Sequence, residues 1–549
     1  MRKVNFLLCV LICFVLQSKA QTGVYAIRDA KVFTVSGATI ERGTIVIRGG
    51  LIEAVGENVK VPADAVIIEG KGLTVYPGFF DTNSSFGLAA RPSPSPTPSS
   101  PTLLIQQASA QQQVSSTSNY PVGLRPEIDI VEQLRAGDSQ FETQRNNGFT
   151  TAVTVQREGI FNGQSAIINL AGETVSAMIV KSPFAQHITF RTLSGGVYPT
   201  SLLGTFSALR QMFLDAKRLQ EWKKIYEANP RGIKRPESDR SLEALFPILE
   251  GKMPVIFNAN TETEIIRALN LAKEFNIKAI IAGGQEAWKV ADRLKAQNVP
   301  VLLSLNFPKR TAIASEEADP ERLETLRFRV ETLKCAGRLE KAGVRFAFQS
   351  GGIQNYAEIW TNLNRAIENG LSKEAAIKAL TLGAAEILGV SDRLGSIETG
   401  KIANLVLVRG DLFAKDRVFT HTFVDGKLFE IKQREDRSNQ TATSTNVNLT
   451  GVWNLTIEAM GQSLPATLNL NQQGNTLSGT LQTAVTGTTN IKEGKVTADG
   501  FSFLLDINFG GNQVEVTVTG KVTGNQMSGS IQSQQGTFSF SGTRTPQNQ

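Results

Sequence analysis

The chain has 549 residues, of which 41% are hydrophobic and 19% are charged, so it is too long for one hydrophobic core and has an ordinary globular composition. The formal net charge is +7. Without the three basic residues of the first twenty positions it falls to about +4, an excess too small and too scattered to indicate nucleic-acid binding.

The first twenty residues have the pattern of a secretory signal peptide. Arg2 and Lys3 precede an apolar run from Phe6 to Leu16, and "SKA" forms a cleavage site before Gln21. Because the run is shorter than the ~20 residues of a spanning helix, we expect cleavage, export to a bacterial periplasm or medium, and no membrane span in the mature chain. Only Cys335 would then remain, which excludes an intramolecular disulfide.

Strands and helices follow in a clear order. Residues 22–75 read as short strands with glycine turns, and the Pro/Ser-rich stretch 91–102 predicts an exposed loop. Strands then alternate with helices, including single helices predicted over 129–148 and 324–343. Within 76–395 this alternation predicts an α/β fold with a closed parallel (β/α)8 barrel of the TIM type, whose chemistry would lie at the carboxyl ends of its strands.

The end of the chain is predicted to be a separate domain. Residues 396–431 return to short strands, and the polar stretch 432–447 reads as a linker. Residues 448–549 contain about eight alternating segments joined by turns such as "QGN" and "TGN", which predict an all-β meander closed as a barrel or sandwich. No cluster of ionisable residues falls on these strands, so binding or packing is expected there.

The stretch "VYPGFFDTNSSFG", residues 75–87, has the form of a strand that ends in a polar rim. Asp81, Asn83 and Ser85 alternate, so on a strand their side chains would share one face. Metal sites are laid out in this way, yet histidine is absent from the stretch.

Several segments resemble the amidohydrolase superfamily of metal-dependent C–N hydrolases, in its imidazolonepropionase-like branch. They are "GTIVIRGGLIEAVG" with "VYPGFFDTNSS", "GFTTAVTVQREGIFNGQSAIINLAG", and "LTLGAAEILGVSDRLGSIETGKIANLVLVRGDLF". The likeness runs from about Ala26 to Glu430. It implies a barrel flanked by a β-sandwich that 22–75 and 396–431 build together.

The resemblance also implies where a divalent metal would bind. In the family the first strand ends Pro-Gly-x-x-Asp-x-His-x-His, and here Pro77, Gly78 and Asp81 are kept. The expected ligand positions are instead filled by Asn83 and Ser85 on the first strand, Asn258 and Asn260 on the fifth, Gly283 on the sixth, and Gly351, which replaces the aspartate that shuttles protons, on the eighth. Zinc requires three or four imidazole, thiolate or carboxylate ligands. We therefore expect no metal cofactor.

Other chemistry finds little support in the residues. The chain has only two histidines, His187 and His421, too few to rebuild a zinc site. A serine nucleophile would lack a base, and Cys335 reads as a buried, inert thiol. The degenerate positions together with Gln349 and Ser350 offer mainly amides and hydroxyls. One carboxylate among them is too little charge for Ca²⁺ or Mg²⁺, but a small polar ligand could be bound.

Three functions remain open from the sequence. The first is an exported, non-catalytic protein that binds a small polar ligand, or pairs with a protein partner or with its own copies. The second is an active hydrolase of carbon–nitrogen bonds with an atypical or metal-free site. The third is assembly through residues 448–549.

Overall fold

The computed structural model describes residues 23–88, 120–309, 321–431 and 448–545, except for gaps at 122, 173, 194–196, 354, 460–461, 484–486, 498–499, 510–511 and 534–535. The predicted signal peptide, the Pro/Ser-rich stretch 91–102 and the stretch 432–447 lie outside these residues. The chain divides into two compact units, Met1–Gln433 and Arg434–Gln549. Within the described ranges, the helices are all too short or too polar to cross a membrane.

The strands of the first unit are β1 (Tyr25–Val32), β2 (Ile40–Arg48), β3 (Leu51–Gly56), β4 (Val66–Glu69), β5 (Leu73–Pro77), β6 (Phe79–Ser84), β7 (Phe149–Thr154), β8 (Phe161–Gln164), β9 (Ala166–Asn169), β10 (Ile179–Lys181), β11 (Gln186–Thr189), β12 (Val255–Ala259), β13 (Ala279–Gly283), β14 (Val301–Ser304), β15 (Phe346–Gln349), β16 (Leu405–Arg409), β17 (Val418–Val424) and β18 (Lys427–Glu430). Its helices are α1 (Ser139–Asn146), α2 (Val175–Met178), α3 (Leu202–Ala228), α4 (Arg240–Glu243), α5 (Phe246–Leu249), α6 (Glu262–Phe275), α7 (Ala291–Ala296), α8 (Leu323–Leu333), α9 (Cys335–Ala342), α10 (Ala357–Glu368), α11 (Lys373–Leu380) and α12 (Leu382–Leu388).

Strands from both ends of the first unit share one eight-stranded sheet. Its order is β18-β17-β16-β5-β1-β2-β3, with β4 beside β1. β16 pairs antiparallel with β5, so Leu405 lies opposite Pro77. One face is apolar and closed, because Ile27, Val75 and Leu407 are fully buried in one cluster. The sheet therefore holds the chain rigidly just before β6 begins at Phe79.

The middle of the unit forms two further sheets, β10-β9-β7-β6 and β15-β14-β13-β12-β11-β8. β6 and β7 run parallel, and so do β11 to β15. The two sheets meet where β6 lies beside β15, since the Thr82 hydroxyl donates to the Phe348 carbonyl at 2.8 Å. The carboxyl ends of seven parallel strands thus point to one edge.

The strands between β7 and β11 differ from the predicted all-parallel arrangement. β9 runs antiparallel to β7, and β8 runs antiparallel to β11. Only residues 155–160 connect β7 to β8. A parallel return needs a crossover of about a dozen residues or more, so the chain must turn back directly. As a result, the amino end of β8 reaches the edge where the parallel strands end.

Two predicted helices are each divided. In place of one helix over 129–148 there is a 3₁₀ turn, Ile130–Gln133, and then α1, with Gly137 at φ 72 between them. A left-handed glycine interrupts a helix because it breaks the regular backbone path. The helix predicted over 324–343 is α8 followed by α9, with Lys334 at the junction.

The second unit is a closed barrel of eight antiparallel strands in sequence order. They are β19 (Gly451–Ala459), β20 (Gln462–Gln473), β21 (Thr476–Thr483), β22 (Gly487–Thr497), β23 (Gly500–Phe509), β24 (Asn512–Thr523), β25 (Gln526–Ser533) and β26 (Gly536–Arg544). Trp453, Phe501 and Phe540 fill its interior. The α/β class of the first unit and the separate all-β domain are confirmed.

Candidate functional site

Asp81 is buried on β6 at the edge where the parallel strands end, with 1% of its surface exposed. Its Oδ1 accepts the backbone N–H groups of Ser350, at 3.0 Å, and Asn83, at 3.3 Å, and its Oδ2 accepts the Tyr356 hydroxyl at 2.9 Å. Burial raises the pKa of the Asp81 carboxyl, and the bonds from Ser350, Tyr356 and Asn83 oppose this effect. Both oxygens are thus engaged by protein donors.

Amide side chains connect the neighbouring strand ends. The Asn83 Nδ2 donates to Gln349 Oε1 at 2.8 Å and lies 3.5 Å from Asn258 Oδ1. The Gln349 Nε2 donates to the Leu302 carbonyl at 2.6 Å, and the Asn258 Nδ2 donates to Thr189 Oγ1 at 3.0 Å. Asn83, Asn258 and Gln349, which the sequence analysis singled out, therefore meet in one network, here called the amide layer.

Four residues at this edge were missed from the sequence. The Thr189 hydroxyl donates to Asn162 Oδ1 at 2.7 Å, Tyr356 binds Asp81 as described, and Arg157 donates from Nη2 to the Asn83 carbonyl at 3.3 Å. Alternation along β11 could have indicated Thr189, because it ends a buried strand. Asn162 could not be found in this way, since it reaches the edge only because β8 is antiparallel.

Ser85 does not join the amide layer. β6 ends at Ser84, whose hydroxyl donates to the Val153 carbonyl at 3.0 Å, and the next residue is exposed. The predicted alternation of Asp81, Asn83 and Ser85 therefore breaks at its last member.

Asn260 and Gly283 fit together at the exits of β12 and β13. Asn260 is exposed, and its backbone N–H donates to Glu264 Oε2 at 2.9 Å as part of the α6 cap. Gly283 has φ +99, and a Cβ there would lie 2.2 Å from Asn260 Oδ1. The asparagine thus occupies the space that a side chain at 283 would need.

Gly351 has a comparable restraint after β15. Its φ is +64, and a Cβ there would lie 2.1 Å from Ser304 Oγ. That oxygen accepts the Asn306 N–H at 3.1 Å, and Asn306 Nδ2 donates to the Gly351 carbonyl at 3.1 Å. Ser304 and Asn306 therefore occupy the space beside Gly351, where the family resemblance implies an aspartate.

His187 lies on β11, two residues before Thr189 and therefore on the same face. It is fully buried, and neither ring nitrogen has a hydrogen-bond partner among the described residues. Burial lowers the pKa of His187 to about 3, with a smaller contribution from the Arg157 charge. Its imidazole is neutral under ordinary conditions.

The remaining candidate side chains lie elsewhere. His421 is half-buried on β17 of the eight-stranded sheet, with Nδ1 3.0 Å from Thr420 Oγ1. Cys335 is buried at the start of α9 and donates to the Gly284 carbonyl at 3.5 Å, and burial raises the pKa of its thiol to about 12. Such a thiol is a weak nucleophile.

The family's divalent metal does not fit these residues. Across the described ranges, His, Cys, Asp and Glu form no group of three or more that could hold an ion. At the strand ends the donors are one carboxyl, already bound by three protein donors, and neutral amides and hydroxyls. Zinc needs three or four stronger ligands.

A cavity of about 810 Å³ opens at the amino end of β8, and Asn83, Asn258 and Gln349 are not among its lining residues. Phe161, Glu158 and Arg191 are among its lining residues. Asn162 follows Phe161 directly and donates from Nδ2 to the Glu158 carbonyl at 2.8 Å. The space is large enough for a small organic molecule.

Comparison with known proteins shows which family this fold resembles. Residues 135–429, just over half of the chain, match the amidohydrolase family. An amidohydrolase from Thermotoga maritima is 25% identical, with a TM-score of 0.60 over 74% of this chain and 100% of that chain. A prolidase complexed with N-methylphosphonate-L-proline is 16% identical with a TM-score of 0.44, over 74% and 99% of the two chains. Phenylurea hydrolase B is 15% identical with a TM-score of 0.44, over 74% and 96%.

Among curated protein sequences none matches the chain. The family match includes Asn258 and Gln349 of the amide layer, and it begins after β6, which carries Asn83. The chain belongs to the amidohydrolase family.

Proposed function

We propose that this protein is an exported, non-catalytic amidohydrolase-family member that binds a small, uncharged polar ligand at the amide layer. We infer that the first unit is a barrel of the (β/α)8 type in which strand β8 runs antiparallel to β11. The Thr82 bond to β15 and the Asp81 bond to Ser350 support closure between β6 and β15.

One observation carries the proposal: the positions of the family's metal ligands are filled by groups that bind one another. Asn83 reaches Gln349 and Asn258, while Asn260 and Ser304 occupy the space beside the glycines at 283 and 351. Without a metal, nothing lowers the pKa of an attacking water toward neutrality, so too little hydroxide forms at neutral pH.

The amide layer supports ligand binding because it presents donors and acceptors with little charge. The amides of Asn83 and Asn258 can donate and accept, and neutral His187 with two unpartnered ring nitrogens lies one layer deeper. Buried polar atoms are normally satisfied by protein, water or ligand. Amide-containing or ureido compounds match this pattern.

A metal titration tests the absence of metal chemistry. The purified mature chain would be equilibrated with excess Zn²⁺, passed through gel filtration and measured by mass spectrometry of the metal. We expect far less than one ion per chain, and the same value for Asp81→Asn. One ion per chain that is lost in Asp81→Asn would contradict the proposal. It would favour the alternative of a hydrolase of carbon–nitrogen bonds, to be checked with lactams, hydantoins and dipeptides.

A ligand screen tests the binding role. Thermal shifts would be measured with neutral amides and ureido compounds. We expect at least one to stabilise the chain, and Asn258→Leu to abolish that shift, while Gln211→Leu on the exposed face of α3 leaves it unchanged. A shift that survives Asn258→Leu would place binding elsewhere.

Export is checked separately, by fractionation of cells that express the full chain.

A further inference from the structure

A second cavity, of about 840 Å³, opens at the amino ends of the parallel strands, on the side away from the amide layer. Five basic side chains line it: Lys181, Lys252, Lys273, Lys278 and Arg345. Neither Asp nor Glu is among its lining residues. Lys278 directly precedes β13, and Arg345 directly precedes β15. The strand starts therefore hold cations around one concave surface.

Most of these cations lack an acidic partner. Of these five side chains, only Lys252 forms an ion pair within the described residues, with Glu250 at 2.7 Å. Arg345 donates from Nη2 to Asn298 Oδ1 at 3.0 Å, and Lys181 donates to the Leu388 carbonyl at 3.5 Å. Like charges around a concave wall raise the local concentration of anions.

Helix dipoles explain only part of the arrangement. Lys273 lies in the last turn of α6, where backbone carbonyls attract cations. Lys278 and Arg345 lie outside the helices, so their position around the cavity has no such cause.

The wall between the charges is apolar in places. Phe184 and Ile280 line the cavity, and the Lys181 ammonium lies 5.4 Å from the centre of the Phe184 ring. Lysine ammonium groups bind phosphate as point charges, and an arginine held by a neighbour presents a fixed fork. A ligand with both phosphate and a carbon skeleton suits this lining.

We propose that this cavity binds a soluble organic phosphate that carries at least two negative charges. A phospholipid headgroup offers the same phosphate chemistry. The large hydrophobic side chains exposed on the described surface, such as Leu203, Ile225 and Leu323, do not line the cavity, so it lacks apolar anchors for a bilayer. A soluble ligand therefore fits better than a membrane surface.

Calorimetry of the full chain with inorganic pyrophosphate, the smallest probe of the phosphate site, tests the proposal. We expect saturable binding that weakens as NaCl is raised, because ions screen exposed charges. The double variant Lys278→Gln/Arg345→Gln should bind about tenfold more weakly or worse. Lys60→Gln, an exposed lysine before β4, is the matched control and should bind like the parent chain.

Circular dichroism would establish that both variants are folded. No saturable binding of pyrophosphate, or equal binding by the double variant, would overturn the proposal. Co-sedimentation with phosphatidylglycerol vesicles but not phosphatidylcholine vesicles, without pyrophosphate binding, would also overturn it and assign the cavity to lipid headgroups.

Discussion

Replacing Gly351 by aspartate would introduce the carboxylate that the family resemblance implies at this strand end, and we expect it to destabilise the first unit by about 3–4 kcal/mol. A residue with a Cβ at φ +64 costs about 1 kcal/mol. The Cβ would lie 2.1 Å from Ser304 Oγ, so Ser304 must move and give up the N–H bond from Asn306, at about 1 kcal/mol. Partial burial of the new charge adds about 1–2 kcal/mol.

Urea unfolding followed by tryptophan fluorescence measures this loss, with the two units treated as separate transitions. Gly49→Asp is the matched control, because Gly49 has φ +59 and no atom within 4 Å of an added Cβ. It should cost only the backbone term of about 1 kcal/mol. Because Ser304→Gly removes the same acceptor of the Asn306 N–H, the double variant should cost about 1 kcal/mol less than the sum of the two single variants. A Gly351→Asp chain as stable as the parent, or one that binds zinc, would refute the reasoning.

Three further predictions concern buried groups. Burial raises the pKa of Asp81, so this carboxyl favours folding at acid pH and that contribution is lost as pH rises through the folded-state pKa. Urea titrations should therefore find Asp81→Asn more favourable, relative to the parent, near pH 8 than near pH 4, and the reverse order would contradict this. The pKa of His187 is lowered to about 3, so stability is lost as pH falls below ~6.5, by up to about 1.4 kcal/mol per pH unit. His187→Gln should flatten this acid loss, and an unchanged slope would argue against it. In the second unit, Phe501→Ala should cost about 3–5 kcal/mol in the Trp453 fluorescence transition, with the first unit unaffected, whereas a loss below about 1 kcal/mol would show a loosely packed interior.

The sequence was sufficient to place Asp81, Asn83, Asn258 and Gln349 near one another, because each stands at the carboxyl end of a strand that repeats a strand–helix unit. The carboxyl ends of parallel strands share one edge of the sheet, and this does not depend on the conformation of the loops. The bonds of Asn83 to Gln349 and Asn258 follow from that rule.

Other parts of the site depend on strand direction, strand ends and backbone angles, which the hydrophobic periodicity of the sequence does not predict. Asn162 reaches the edge because a short connection forces β8 to run antiparallel, and Tyr356 reaches Asp81 from beyond the end of β15. Ser85 fails to take part because β6 ends one residue earlier. The positive φ of Gly351 is also invisible in a single sequence, since glycine is used for many reasons.

The glycines at 283 and 351 place part of the difference from the family in the main chain itself. Returning histidine and aspartate to the expected positions would change the side chains, but the strand exits would still follow a path that those residues adopt only under strain. An engineer who wished to install a metal centre would first have to rebuild both exits, together with Asn260 and Ser304. Backbone conformation at these two exits, more than the identity of any one missing ligand, is therefore the feature by which related chains can be sorted.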